Sequence, residues 1–502
     1  MSDHGVDPSF TSLPLRRLAD AALQRARDFG AEHADFRIER LRSQHLSLRD
    51  GALQGARNDE VLGLCVRVIL DGTWGFAASH ELTDESAVRT AEAAIRVAQV
   101  CAPVSHERVE LVSEPIHADA VWISHYAIDP LTVAVDEKVD RLSDWSGRLL
   151  RQDAVDHVSA SLRQVVENKF YADLAGTTTT QQRVRVAPEL EAFGTDPSGS
   201  RFDSMSTLAP PVGRGYEYLE GGYDWDTELD QLPQHLAEKL AAPSVGGGVY
   251  DLVIDPSNLW LTIHESIGHA TELDRALGYE ANYAGTSFAT YDKLGTLPYG
   301  SRHLNVTGDR TIAHGLSTIG YDDDGVAGQE WDLISNGTLV GYQVDRAMAA
   351  MKQMGRSNGC AFADSPGHVP VQRMANVSLA ADPQGPDTDG LISQVERGIY
   401  VVGDRSWSID MQRFNFQFTG QRFFRIENGK LVGQVRDVAY QATTTDFWGA
   451  MAAVGGPQTW RLGGTFNCGK AQPGQGAPVS HGCPSALFRD IRVLNTASES
   501  GR

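Results

Sequence analysis

The stretch His264-Glu265-Ser266-Ile267-Gly268-His269 places two imidazoles and one carboxylate within about 1.5 helical turns. Neutral imidazole is a common zinc ligand, and a carboxylate beside such an ion can take a proton from water. The chemistry open to this set is metal-assisted hydrolysis. Its spacing differs from His-Glu-x-x-His, where the rings lie at i and i+4 on one helix face. Here they lie at i and i+5, roughly 140° apart at about 100° per residue, too splayed for one ion on a regular helix. One inserted residue, taken up as a π-bulge, would bring them together. Gly268 lies inside the interval and would ease such a distortion. The spacing predicts a bulge or break near residues 267–268. The plainer alternative is a buried helix carrying two hydrogen-bonded histidines.

The flanks must present this stretch on a helix. Residues 249–254 form an apolar, β-branched run that reads as a strand. Asp255-Pro256 supplies an N-cap and a proline at the first helical position. Leu259, Ile263, Ile267, Ala270, Leu273 and Leu277 recur at helical spacing, and Gly278 is the expected stop. A catalytic zinc site normally takes three protein ligands and water. Downstream candidates are His303, His314, His368, His481, Cys360, Cys468 and Cys483, with many carboxylates. Cys468 lies in a glycine-rich turn, and Lys470 would favour its thiolate. A small buried hydrophobe, or a partner for Cys483, is the other reading of Cys468.

Further motifs run along most of the chain. They are Ala34-Asp35-Phe36-Arg37, Gly63-Leu64-Cys65-Val66-Arg67, Asp71-Gly72-Thr73-Trp74-Gly75-Phe76-Ala77 and Gly213-Arg214-Gly215-Tyr216-Glu217-Tyr218. Asp274-Arg275, Tyr321-Asp322-Asp323-Asp324-Gly325, Arg373-Met374-Ala375-Asn376, Cys468-Gly469-Lys470 and Gly482-Cys483-Pro484 follow. In this order, with His264–His269, the set resembles the TldD/PmbA family of peptidases, in its metal-bearing TldD-type branch. The resemblance implies zinc held by His264, His269 and Cys468, with Glu265 as general base. It implies small, modified or unfolded peptides as substrates. It also implies a dimer, either with a PmbA/TldE-type non-catalytic paralogue or with a second copy. A non-catalytic peptide-binding or scaffold subunit is the alternative, and the intact Glu265 argues against it. Arg373 and Asn376 could grip a substrate through their donors, or serve in structural pairing. Three consecutive acids at 322–324 read as a solvated turn, because their side chains cannot all face one ion.

Composition bounds the rest. A length of 502 residues with 41% hydrophobic content suits two or three domains with real cores. A net charge of −21 weighs against partners such as nucleic acid or anionic membrane. No apolar run approaches the ~18 residues of a membrane span, and the polar first 15 residues do not read as a signal peptide. Five dispersed cysteines fit a reducing cytoplasm. The expected fold class is α+β. An N-terminal unit, 1–225, is read as helix 15–29, strands 36–40, 45–49, 62–70 and 74–78, a helix from Thr83, helix 137–150 and paired strands 155–172 and 181–191, with a mainly antiparallel sheet. A connecting helix (229–240) and a glycine-rich linker (243–248) occupy 226–248. A C-terminal, mostly β unit, 249–502, carries the site helix, with a surface loop at 382–390.

Overall fold

A computed structural model describes residues 4–471 and 474–499, and its strands gather mainly into two seven-stranded sheets. The first is formed by His33–Arg49, Ala52–Leu70, Thr73–Ser79, Ala120–Ile123, His157–Asp173, Thr178–Thr195 and Phe202–Ser206. All its pairings are antiparallel except that of Ala120–Ile123 with Thr178–Thr195. Turns with positive φ at Asp50-Gly51 and Asp71-Gly72 join its first three strands, the conformation a tight two-residue hairpin needs. Helices Leu15–Asp28 and Asp84–Cys101 bury their alanine-rich faces on it, the second capped by Thr83 as its sequence predicts.

The expected strands 36–40 and 45–49 are one continuous strand. Neighbours on both sides, Ala52–Leu70 and His157–Asp173, carry it through the polar residues 41–44. The segment 52–61 is also strand, although its side chains are mostly exposed and lack an apolar alternation. The connecting helix starts earlier than expected, at Trp225, where Asp224 accepts a hydrogen bond from the Thr227 N–H. The following 243–248 stretch is pinned: Val245 N–H donates to Arg436 O (3.0 Å) and Ser244 Oγ to Asp437 Oδ2 (2.5 Å). Within the expected 382–390 loop, Asp387 caps a short helix, Thr388–Ile392.

The second sheet is mostly antiparallel and curls on itself. Gly248–Ile254, Ala486–Asn495, Val438–Thr443, Asn415–Glu427 and Arg397–Ile409 pair in sequence, and the last returns to the first, closing a five-stranded ring. Phe416, Phe418, Tyr440, Phe447 and Phe488 stack in its core. The α+β class, with an antiparallel first sheet and a β-rich second half, matches the sequence reading. Among the described residues no helix is long and apolar enough to cross a membrane, and all five cysteines are free.

The acidic run is not a solvated turn. Asp322, Asp323 and Asp324 are at most 4% exposed and face the first sheet. Lys169 Nζ lies 2.8 Å from Asp323, Arg37 Nη1 3.2 Å from Asp323 and Arg67 Nη2 2.5 Å from Asp324. Asp322 instead accepts main-chain N–H groups of Asp324, Val326 and Ala361. The acids point to different partners, so burial does not require them to share an ion.

Candidate metal centre

Strand Gly248–Ile254 delivers the chain to Asp255, whose side chain accepts from the Ser257 N–H at 3.0 Å, and Pro256 opens the helix Pro256–Ile263. The next five residues, His264–Gly268, form a π-helical turn, followed by a 3-10 turn His269–Thr271. The irregularity expected from the i, i+5 spacing is therefore present. The expected single helix to Leu277 is not: the chain leaves helical geometry at Glu272 and resumes only as Leu273–Ala276.

A π-turn displaces carbonyls from their usual partners, and buried carbonyls must be satisfied elsewhere. Tyr299 Oη donates to Ser266 O (2.5 Å), Thr271 Oγ1 to Ile267 O (2.9 Å) and Gln343 Nε2 to Gly268 O (2.7 Å). Trp448 Nε1 donates to Ser266 Oγ at 2.9 Å. Space, more than backbone conformation, favours glycine at 268. Its φ of −53° is helical, but a Cβ there would lie 2.6 Å from Met374 Sδ.

This turn brings the two motif rings to a centroid distance of 4.7 Å. Cys468, on strand Arg461–Lys470, arrives from the far end of the chain, its sulfur 3.6 Å from His269 Nε2. One ligand atom each from His264, His269 and Cys468 lies within 4.8 Å of the others, all three residues being buried. Their surroundings fix the tautomers. His481 Nδ1–H donates to Val377 O (2.8 Å), so its Nε2 accepts from His264 Nδ1–H at 2.7 Å. His269 Nδ1–H donates to Glu272 Oε2 at 2.8 Å. Both motif rings thereby keep Nε2 as a lone pair, the arrangement that outer partners impose on metal-binding histidines.

Electrostatics agree with this. Burial lowers His264 and His269, favouring their neutral form, and lowers His481 further. Burial opposes ionisation of the Cys468 thiol, but the facing His269 ring and the Arg373 guanidinium favour it and hold the thiol below its ordinary value. Burial likewise opposes ionisation of Glu272, and Lys470, His269 and Arg275 reverse that effect. Lys470 is not the cation at the thiol: its Nζ turns to Asp274 (2.6 Å) and Gln372 O (2.6 Å). Two neutral imidazoles and an acidified thiol suit a borderline-soft cation such as zinc.

Glu265 lies beside this cluster and meets Arg413 Nη1 through Oε2 at 2.5 Å. Arg373 and Asn376 stand behind the site with no surface exposed to a ligand. Arg373 Nη2 donates to Cys468 O (2.5 Å), and Asn376 Nδ2 to Asp309 O (2.8 Å) and Thr318 Oγ1 (3.1 Å). They brace the strands that carry Cys468 and His481. The remaining third-ligand candidates lie apart: His314 meets Gly213 O, His368 meets Asp364, and Cys483 meets Pro256 O. Sequence reasoning missed Glu272 and Arg413, and treated His481 only as a possible ligand. Glu272, three residues after His269 in an apolar segment, could have been found as its partner; Arg413 left no local signal.

Two family models match the chain: "PmbA/TldA metallopeptidase C-terminal domain" over residues 247–495 and "PmbA/TldA metallopeptidase domain 1" over residues 34–98. A protein of Methanothermobacter thermautotrophicus named "Metalloprotease" is 29% identical, covering 93% of this chain and 96% of its own. A "Zinc metalloprotease TldD homolog" of Saccharolobus solfataricus is 24% identical, covering 94% and 98%. Among solved structures, TldE from Thermococcus kodakarensis superposes with a TM-score of 0.70 at 16% identity, covering 94% of this chain and 98% of that one. That likeness is one of fold.

Proposed function

The chain belongs to the TldD/PmbA family of metallopeptidases, and on that premise we propose that it is a zinc-dependent peptidase acting on small, modified or unfolded peptides. One observation carries the reading: two imidazoles with oriented Nε2 lone pairs and a thiol converge within 4.8 Å, beside a carboxylate. His264, His269 and Cys468 would hold the ion. Zinc, when bound, polarises the scissile carbonyl and lowers the pKa of water toward neutrality.

The chain's own groups do the rest. Glu265 takes a proton from water and passes it to the leaving amine. Glu272 and His481 hold the two ligand rings in the orientation the ion needs. A groove of about 1650 Å³ lined by Trp260, Trp460 and residues 461–467 borders the strand that carries Cys468, although His264, Glu265, His269 and Cys468 do not line it. Among the described residues, strand Arg461–Lys470 is paired on one side only, with Gln475–Cys483. An extended peptide adding to the other side would be bound mainly through its main chain, which tolerates many sequences and excludes folded ones. A TldE-type paralogue or a second copy of this chain is the proposed partner; the fold shared with TldE supports that choice.

The test is zinc per chain in the purified protein beside Cys468→Ser and Glu265→Gln, with hydrolysis of an unfolded peptide mixture. The expected result is about one zinc in the parent, clear loss in Cys468→Ser, and zinc without hydrolysis in Glu265→Gln. Zinc retained by Cys468→Ser would move the third ligand elsewhere. A parent that binds none after supplementation would make the chain a binding subunit.

A further inference from the structure

The ion pair between Glu265 and Arg413 raises a question of charge. Both side chains are largely buried, with 7% and 14% of their surface exposed, and Arg413 Nη1 is 2.5 Å from Glu265 Oε2. A buried guanidinium needs a counter-charge. If Glu265 accepts a proton from water, Arg413 loses its partner at the moment the reaction begins.

The chain is built to hold Arg413 there. It is a non-glycine residue with φ of 63°, in the left-handed region, where a side chain is strained. Asp410 fixes the loop by accepting from the main-chain N–H groups of Gln412 and Phe414 through Oδ1 and of Asn415 through Oδ2. Thr444 Oγ1 donates to Arg413 O at 2.7 Å. Toward the site, Arg413 Nη2 reaches only Ala284 O, at 3.4 Å, and its buried Nε has no partner. Donor capacity is therefore left over beside the base.

The geometry points to Arg413 as a further catalytic residue, whose guanidinium passes from Glu265 to the oxygen of the scissile carbonyl as that oxygen becomes negative. This role rests on the peptidase reading. In the first step the water oxygen bonds to the carbonyl carbon, its proton goes to Glu265, and the carbonyl π pair moves to oxygen. One negative charge leaves Glu265 and one appears on the substrate, so Arg413 stays paired throughout. In the second step the C–N bond breaks, nitrogen takes the proton from Glu265, the carbonyl reforms, and Glu265 and Arg413 pair again. An interaction made only with the charged oxygen raises kcat without tightening substrate binding.

The test uses the zinc-loaded full chain and two capped hexa-alanine probes. One carries a phosphinic group, a charged tetrahedral mimic, in place of the central peptide bond; the other carries an uncharged ketomethylene. Arg413→Met should keep its zinc and weaken the phosphinic probe by about 100-fold or more, as removal of an oxyanion donor does. Its ketomethylene affinity and KM should stay within about threefold, and Arg413→Lys should recover part of the loss. Arg413→Met leaves Glu265 unpaired, so the comparison is repeated in Glu265→Gln, with and without Arg413→Met. Equal weakening of both probes, or an unchanged phosphinic affinity in both backgrounds, overturns the role. A zinc-loaded parent that binds neither probe and hydrolyses nothing overturns the peptidase reading itself, and the role with it.

Discussion

Removing the imidazole of His481 isolates one element of the site. This ring, 0% exposed, accepts from His264 Nδ1–H at 2.7 Å and donates to Val377 O at 2.8 Å. In His481→Leu, His264 Nδ1–H loses its acceptor, a buried unsatisfied donor costing about 1–3 kcal/mol. The His264 ring is then free to turn or to change tautomer. Outer partners of this kind are each worth ~10–100-fold in metal affinity, or about 1.4–2.7 kcal/mol. A glutamine can do both jobs, its amide oxygen accepting and its NH₂ donating. Competition for zinc against a chromophoric chelator should show His481→Leu weakened by one to two orders of magnitude and His481→Gln by much less. The same difference should reappear in denaturant unfolding as lost zinc-dependent stability, because zinc bound only to the folded chain stabilises it by RT ln(1 + [Zn]/Kd). Parental affinity in His481→Leu, or equal loss in both variants, would refute the tautomer argument.

Gly268→Ala should destabilise the fold by about 1–3 kcal/mol and weaken zinc binding, because the added Cβ meets Met374 inside the π-turn; pairing it with Met374→Ala should restore part of both in denaturant titrations. Burial raises the Asp404 carboxyl from 3.8 to about 6, despite its hydrogen bond from Trp260 Nε1. Its contribution to stability is therefore complete below about pH 3.8 and is lost as pH rises through about 6. Asp404→Asn should unfold at a higher temperature than the parent at pH 8, with the gap closing toward pH 4.

What the sequence disclosed follows the range of the interactions involved. The i, i+5 spacing of His264 and His269 is local, and a local rule about helix periodicity was enough to anticipate the π-turn. Asp255-Pro256 and Thr83 were readable as helix starts for the same reason. His481 acts on His264 across 217 positions and Arg413 on Glu265 across 148, distances over which composition and periodicity carry nothing. The packing of Met374 against Gly268 was not legible, because sequence shows that a side chain is missing but not what fills the space. The acids 322–324 looked solvent-facing because the cations of Asp323 and Asp324 lie on strands far upstream. Strand 33–49 was split in two because its polar middle is sustained by neighbours, not by its own alternation.

That acidic run sets an order of events during synthesis. Arg37, Arg67 and Lys169 leave the ribosome well before Asp323 and Asp324, Lys169 preceding Asp323 by 154 positions. At ~5–20 residues per second the delay is roughly 8–30 s. Throughout it, these cations have only acids of their own sheet as counter-charges, Asp35 for Arg67 and Glu39 for Arg37 and Lys169. The remaining ion pairs on this face form only once residues 323 and 324 emerge. The part of the chain made first is thus completed by a segment made much later.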